Sequence, residues 1–360
     1  MAVIYSIIVS LKNELGHFFE YNLAFTKAAK INNFKHIKII PKSCNIPNMD
    51  KTWQKEIYAI NHKNKLKNLK NIFPFIRIFK KIKKEKNGII FLDDFNIIIL
   101  LLVFLAAIIV KPKSQLWLLH RFEYNKTFLN GKGYKIIQYL LEKAFSKKKI
   151  KFLTDSTLIK NINGYFFNRK FHVLPIPHVY FSDEKKILDK NFKYFWWPGG
   201  LIRKEKGLDH IINLVNLLEN KENIKIVLAE TAKEFIKSNN TIFIPTNLSR
   251  KEYESWMISS DLILLPYISN LYRYRTSGIF VEAIIAGAIP IVNKNTWMSY
   301  ELSKYNLENL SIDWSNKDVV KKLNFILENN SIHNKLLSMK KDYKKIHSIE
   351  NYALVLKSIL

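Results

Sequence analysis

The sequence predicts an α/β protein built from two doubly wound, Rossmann-like domains facing each other across a cleft. Three observations carry this reading. Short apolar runs alternate with longer amphipathic ones, as expected of parallel strands joined by crossover helices. The 360 residues are too many for one ordinary core and suit two. Two glycine-bearing turns in the second half lead into helix starts, where such sheets bind ligands.

The first series opens with a buried strand over residues 3–10, a loop at Gly16 and His17, and a helix over 18–31. Strands follow at 37–40 and 88–92. The run Ile97–Val110 is wholly apolar. It is shorter than the roughly 20 residues of a spanning helix, so it reads as a core helix capped by Asp94 or Asn96. Asp93-Asp94 is read as capping rather than as a metal motif. A strand over 116–119 ends at His120, a helix covers 133–146, and a strand over 150–153 runs into Asp155-Ser156. Residues 173–178 close a first domain set at 1–182, and the polar stretch 179–192 reads as a linker. The second domain, 183–338, places strands at 194–197, 224–228, 242–244, 262–265 and 289–292. Its helices fall at 207–219, 231–237, 249–259, from 278, at 315–328 and at 333–358.

The single cysteine, Cys44, forbids an intrachain disulfide and fits a reducing compartment. The N-terminus has neither the basic start nor the cleavage site of a signal peptide. A cytoplasmic chain, not integral to a membrane, is expected. Charge is lopsided. Residues 1–180 hold 32 Lys+Arg and 10 Asp+Glu, a net of +22, against 26 and 20, a net of +6, in residues 181–360. A field this one-sided points to an anionic partner for the first half. Between Lys63 and Lys86, ten basic residues interleave with Ile72, Phe73, Phe75, Ile76, Ile78, Phe79 and Ile82. That pattern suits an interfacial helix on an anionic membrane. It equally suits a solvated helix packed on its own domain, and aromatic stacking on RNA is a third option. No RNA-module signature or zinc-ligand spacing accompanies it.

Two constellations in the second half bear on chemistry. Gly199-Gly200 follows an apolar strand, and Arg203 and Lys206 precede a helix near Gly207. Glycines admit a ligand to the backbone, the helix start offers free amides, and two cations match a diphosphate. Downstream, Thr276-Ser277-Gly278-Ile279 reads as a capped helix start carrying Glu282 among apolar neighbours. A carboxylate in that setting faces a ligand or pairs with a cation, Arg273 or Arg275 being candidates. His120, at a strand's carboxyl end, is either a structural histidine or part of the cleft.

On these residues the chain resembles the retaining GT-B glycosyltransferases of the group 1 kind, which build bacterial polysaccharides, lipopolysaccharides and glycolipids. Gly200-Leu201-Ile202-Arg203-x-x-Lys206-Gly207 is similar to the family's diphosphate turn. Asp261–Tyr267 is similar to its strand before the donor loop. Ser277-Gly278-x-x-x-Glu282-Ala283, with Gly287 and Pro290, is similar to its donor helix. The resemblance implies transfer of a sugar from a nucleotide-sugar to a glycan or polyprenyl-phosphate-linked acceptor, with retention, without metal or cofactor. It assigns Arg203 and Lys206 to the diphosphate, Glu282 to the ribose, and the backbone around Ser277, Gly278 and Ile279 to phosphates and sugar. Gly200, Tyr267 and Tyr274 fall in the donor site, His120 at the reacting centre, and Gly16, His17 and His178 on the acceptor side. It also implies that a helix within 339–360 returns to the N-terminal domain, and that an anionic membrane face is a peripheral partner. Two positions depart from the pattern: Tyr274 stands where many members carry a second glutamate, and Glu230 where glycine is usual. A nucleotide-sugar epimerase or hydrolase on the same scaffold, and a non-catalytic basic binding protein, are the competing functions.

Overall fold

A computed structural model describes residues 2–14, 17–47, 49–61, 63–124, 128–177 and 188–360, with the side chains of 17, 65 and 128–130 left aside. The chain divides into two compact units, Met1–His178 with His347–Leu360, and Val179–Ile346.

The first unit contains β1 (Val3–Ile7), α1 (His17–Ile31), β2 (Lys35–Pro41), β3 (Trp53–Ile57), α2 (Ile72–Lys83), β4 (Gly88–Leu92) and α3 (Ile97–Val110). It continues with β5 (Gln115–Leu119), α4 (Phe128–Phe145), β6 (Ile150–Thr154), α5 (Thr157–Phe167) and β7 (Phe171–Val173). All seven strands are parallel, in the order β3-β2-β1-β4-β5-β6-β7. β1, β2 and β4 are buried almost throughout, as parallel strands covered on both faces must be. On one face Phe75, Ile78, Phe79, Val103, Ala106 and Leu141 pack against the sheet. On the other face Phe25, Ala28, Tyr352 and Leu356 pack against Phe91 and Trp117 of the sheet.

The second unit contains β8 (Lys193–Trp196), α6 (Leu208–Leu217), β9 (Ile224–Ala229), β10 (Thr241–Ile244), α7 (Arg250–Ser259), β11 (Leu262–Leu265) and α8 (Ser269–Tyr272). Next come α9 (Gly278–Ala286), β12 (Ile289–Asn293), α10 (Trp297–Ser303), β13 (Ser311–Ile312), α11 (Val319–Glu328) and α12 (Asn330–Ile346). Its six strands are parallel in the order β10-β9-β8-β11-β12-β13. Strand order reverses between β1 and β4 in the first sheet and between β8 and β11 in the second. These are the places where a doubly wound sheet opens a crevice at its carboxyl ends.

Several expectations change. The helix expected over 333–358 is two helices: α12 stops at Ile346, and Ser348 caps α13 (Ile349–Ile359) by accepting from the Asn351 amide at 3.0 Å. Residues 339–346 therefore stay in the second unit as the last turns of α12, and α13 belongs to the first. There α13 packs on α1, with the Tyr21 and Tyr352 hydroxyls 2.6 Å apart. Asn96 caps α3, accepting from the Ile99 amide at 3.0 Å, so Asp93 and Asp94 are released from that role. In α2, Phe75, Ile78, Phe79 and Ile82 are fully buried and pack on their own domain. α3, expected to lie wholly within the core, leaves one side uncovered. The linker expected over 179–192 falls mostly outside the described residues.

Candidate functional site

Both constellations read from the second half lie at the carboxyl ends of the second unit's strands. Past β8 the chain turns at Gly199 and Gly200. Gly200 has φ +57°, and a Cβ there would stand 2.9 Å from the Thr246 carbonyl. At Gly207, the residue before α6, φ is +85° and a Cβ would lie 2.0 Å from the Pro266 carbonyl oxygen. Only glycine permits that close approach. It brings the turn after β8 against the loop after β11, where the Ile268 amide donates to the Glu205 carbonyl at 3.0 Å.

Lys206 is the unusual group here. It is 6% exposed, and its ammonium lies over the Tyr267 ring, 5.8 Å from the centroid. A Cβ added at Gly199 would meet its Nζ at 3.2 Å, so the glycine leaves room for the lysine head. Among the described residues no carboxylate pairs with that Nζ, and nothing accepts a hydrogen bond from it. Burial, with the nearby Arg203 charge, brings its pKa down to about 8. Arg203 is more than half exposed and reaches Glu205 at 3.7 Å.

Tyr267 joins the two constellations. Ser277 lies beside its hydroxyl, and its ring lies 4.5 Å from that of Tyr272. Ser277 caps α9, accepting from the Phe280 amide at 3.3 Å. The amides of Gly278 and Ile279 find no acceptor among the described residues. A helix start with two open amides attracts an anion. Tyr274 is half-buried, with the Arg273 guanidinium 5.3 Å from its ring centroid.

Glu282, 6% exposed on α9, has partners other than those expected. Arg250 Nη1 donates to its Oε1 at 2.9 Å and the Tyr253 hydroxyl to its Oε2 at 2.7 Å. Burial raises its pKa and the Arg250 charge opposes that rise. Arg250 and Tyr253 sit on α7, more than a score of residues upstream, and no local pattern announces them. The nearest available signal is the capping box Ser249–Glu252, which fixes where α7 begins.

The first unit holds a polar cluster that the sequence reading missed. It lies at its own switch point and spreads over four adjacent strand ends. Asp93 and Asp94 follow β4, Arg121 follows β5, and Asp155 follows β6. Asp93 is 1% exposed; the Asn22 amide donates to its Oδ2 at 3.1 Å, and its Oδ1 has no hydrogen-bond partner among the described residues. Burial raises its pKa to about 7, against the pull of Arg121. Arg121 Nη1 donates to the Asp93 carbonyl at 3.3 Å, and its Nε pairs with Asp155 at 3.5 Å. Ser10, after β1, donates to Asp94. Among the described residues no group of His, Cys, Asp and Glu is arranged to hold a metal ion.

His120 does not join that cluster. Its ring is 2% exposed, ringed by Phe95, Tyr124, Phe152, Phe167 and Phe171 at 5.1–5.8 Å, and neither nitrogen has a hydrogen-bond partner among the described residues. Burial alone lowers its pKa to about 3, so it is a neutral core side chain. Gly16 and His178 lie outside the described residues, as does the side chain of His17.

Known structures supply the comparison. The chain superposes on a solved structure described as trehalose-6-phosphate from E. coli bound with UDP-2-fluoro glucose, with TM-score 0.64 and 10% identity over 99% of this chain and 98% of that one. WaaG, a glycosyltransferase involved in lipopolysaccharide biosynthesis, gives 0.64 and 13% over the same shares. An alpha-glucosyltransferase in complex with UDP and a 13-mer DNA gives 0.61 and 9%, again over 99% and 98%. The fold is GT-B. At these identities the likeness is one of architecture alone, and the GT-B scaffold supplies two Rossmann-like domains with parallel sheets. No family model matches the chain. Among curated proteins, RecBCD enzyme subunit RecD of Buchnera aphidicola is 23% identical over 231 residues, 60% of this chain and 35% of that protein. The chain thus aligns with about a third of that relative's length.

Proposed function

We propose that this protein is a glycosyltransferase that moves a sugar from a nucleotide-sugar donor to a glycan or lipid-linked acceptor, with retention and without a metal ion. The observation that carries the reading is Lys206: a buried ammonium that no carboxylate among the described residues contacts, at the switch point of a doubly wound sheet, with Tyr267 between it and the open start of α9. A buried cation without a partner is costly, and a diphosphate would supply the missing charge. Cleaving the bond between sugar and diphosphate develops negative charge on the leaving group. Lys206, the exposed Arg203 and the Gly278 and Ile279 amides would stabilise it. Glu282, held from two sides, is oriented before any ligand arrives and retains lone pairs for a ribose hydroxyl.

On the acceptor side the reading favours Asp93, Asp94 and Arg121 over His120, because the former are polar groups at strand ends and the latter is sealed among aromatic rings. Peripheral attachment to an anionic membrane completes the proposal and agrees with the charge of the first half.

A thermal-shift screen of UDP-, GDP-, ADP- and dTDP-sugars tests the donor site. One class should raise the melting temperature of the native chain, and Lys206→Met and Arg203→Ala should each blunt the rise. Equal shifts in all three proteins would remove the assigned site. A second assay, transfer of the radiolabelled sugar to acceptor, separates a transferase from a binder.

A further inference from the structure

We infer that the outer face of α3, with its flanks, is the surface by which this protein docks on an anionic lipid bilayer. The inference rests on the membrane part of the proposed function and is independent of the donor site.

α3 has no polar side chain along its length. Its inner side, Ile99, Leu100, Val103, Ala106 and Ala107, is in the core. Its outer side is a single stripe at helical spacing: Leu101 (38% exposed), Leu105 (38%), Ile108 (47%) and Ile109 (59%), with Ile98 and Phe104 half-buried beside them. The neighbours enlarge it. The 3₁₀ segment Lys65–Asn71, which packs on α3, exposes Leu66 and Leu69, and the first turn of α2 exposes Phe73. α4, packed on the other side, exposes Ile136 and Tyr139. Scattered surface apolar residues are ordinary, but an uninterrupted apolar stripe along one helix, with further exposed apolar side chains on the elements packed beside it, marks an interaction site.

Charge selects the occupant. Lys67, Lys70, Lys80, Lys84, Lys111, Lys113, Lys132 and Lys135 are exposed on the same elements or next to them. A second copy of the chain would bring a like field against this one, since residues 1–180 carry a net of +22. A protein interface ordinarily carries hydrogen bonds and arginine anchors, whereas the α3 stripe has no hydrogen-bonding side chain. Lysines round an aliphatic face are what an anionic bilayer needs: headgroups for the ammonium groups, acyl chains for the stripe. The lysine-rich stretch 63–86 therefore supplies rim charge, while α3, not the buried ring face of α2, supplies the apolar contact.

The test is co-sedimentation of the full chain with vesicles of phosphatidylglycerol and phosphatidylcholine, against phosphatidylcholine alone. Native protein should bind the anionic vesicles and lose binding as salt rises. Leu105→Gln with Ile109→Gln should lower partitioning by about tenfold. Leu354→Gln, an exposed apolar position on α13, should leave it unchanged. Melting temperature and the donor shift, measured on each variant, confirm folding and keep the two proposals apart. The inference is overturned if the double variant binds vesicles like the native chain. It is equally overturned if the native chain ignores vesicles and the double variant instead abolishes self-association.

Discussion

Arg250 and Glu282, on different helices, form an ion pair of 2.9 Å, and the same guanidinium holds Glu254 at 2.6 Å. The pair ties α7 to α9 and fixes the carboxylate that α9 presents. Glu282 is nearly sealed from solvent, so its charge depends on that guanidinium. Removing one partner of a buried pair costs more than removing both, because an unpaired charge stays behind. Arg250→Ala should therefore lower unfolding free energy by about 2–3 kcal/mol, less than a fully buried pair because the arginine is about a third exposed. Arg250→Ala combined with Glu282→Gln should recover part of that loss. Urea denaturation of the two singles and the double gives the coupling; additive losses would show that the pair is not the tie.

Much of the fold was legible because burial writes itself into sequence. Parallel strands are continuous apolar runs, and β11 falls on Leu262–Leu265, where the runs placed it. β3, Trp-Gln-Lys-Glu-Ile, was invisible: an edge strand with a half-exposed middle carries no such run. α5 and α10 are short, and only Ser156 and Thr296, which cap them, advertise their starts. In the candidate site, glycines and cations within one turn could be read off directly. Arg250, Tyr253 and the Asp93–Arg121–Asp155 cluster could not, because they meet only when separate strands and helices assemble. His120 shows the opposite failure: a strand end is a good address for a ligand, but the rings of five other side chains close this one.

Gly207 makes the close approach of the turn after β8 to the loop after β11 possible. Alanine there would have to keep φ +85° and put a methyl 2.0 Å from the Pro266 oxygen. Left-handed strain alone costs about 1–3 kcal/mol, and backbone cannot yield as a side-chain end can. Gly207→Ala should lower the melting temperature by several degrees, on the order of 2 kcal/mol or more, and reduce the donor-induced shift. An unchanged melting temperature would show that the turn relaxes without loss.

If Lys206 binds the donor as proposed, donor affinity should depend on pH. With its pKa brought down to about 8, the ammonium is largely charged at neutral pH and is lost as pH rises through 8. Donor binding, followed by calorimetry, should weaken from pH 7 to 9, by up to about tenfold for each unit above the free-chain pKa of about 8. Lys206→Met should bind weakly with a flat profile over that range. Stability of the free chain runs the other way: between about 8 and the ordinary lysine value near 10.4, the unfolded chain holds the extra proton, so rising pH favours the fold. A native profile as flat as that of Lys206→Met would detach the lysine from the donor.

Asp93 gives the first unit a pH signature of its own. Its carboxyl is buried and raised to about 7, against about 3.9 in an unfolded chain. Between these values the folded protein holds a proton that the unfolded chain has released. Stability therefore falls as pH rises from about 4 and levels off above about 7. The ceiling is roughly 4 kcal/mol, and Arg121, whose charge already opposes the shift, is part of the balance. Asp93→Asn keeps the shape and an acceptor for Asn22 but removes the titration. The unfolding free energy of Asp93→Asn minus that of the native chain should therefore grow across the window and stay constant on either side of it. Taking that difference cancels every other titrating group. Denaturation of both proteins at a series of pH values measures it directly, and a difference that is flat, or that grows toward low pH, would mean that Asp93 is ionised within the fold throughout.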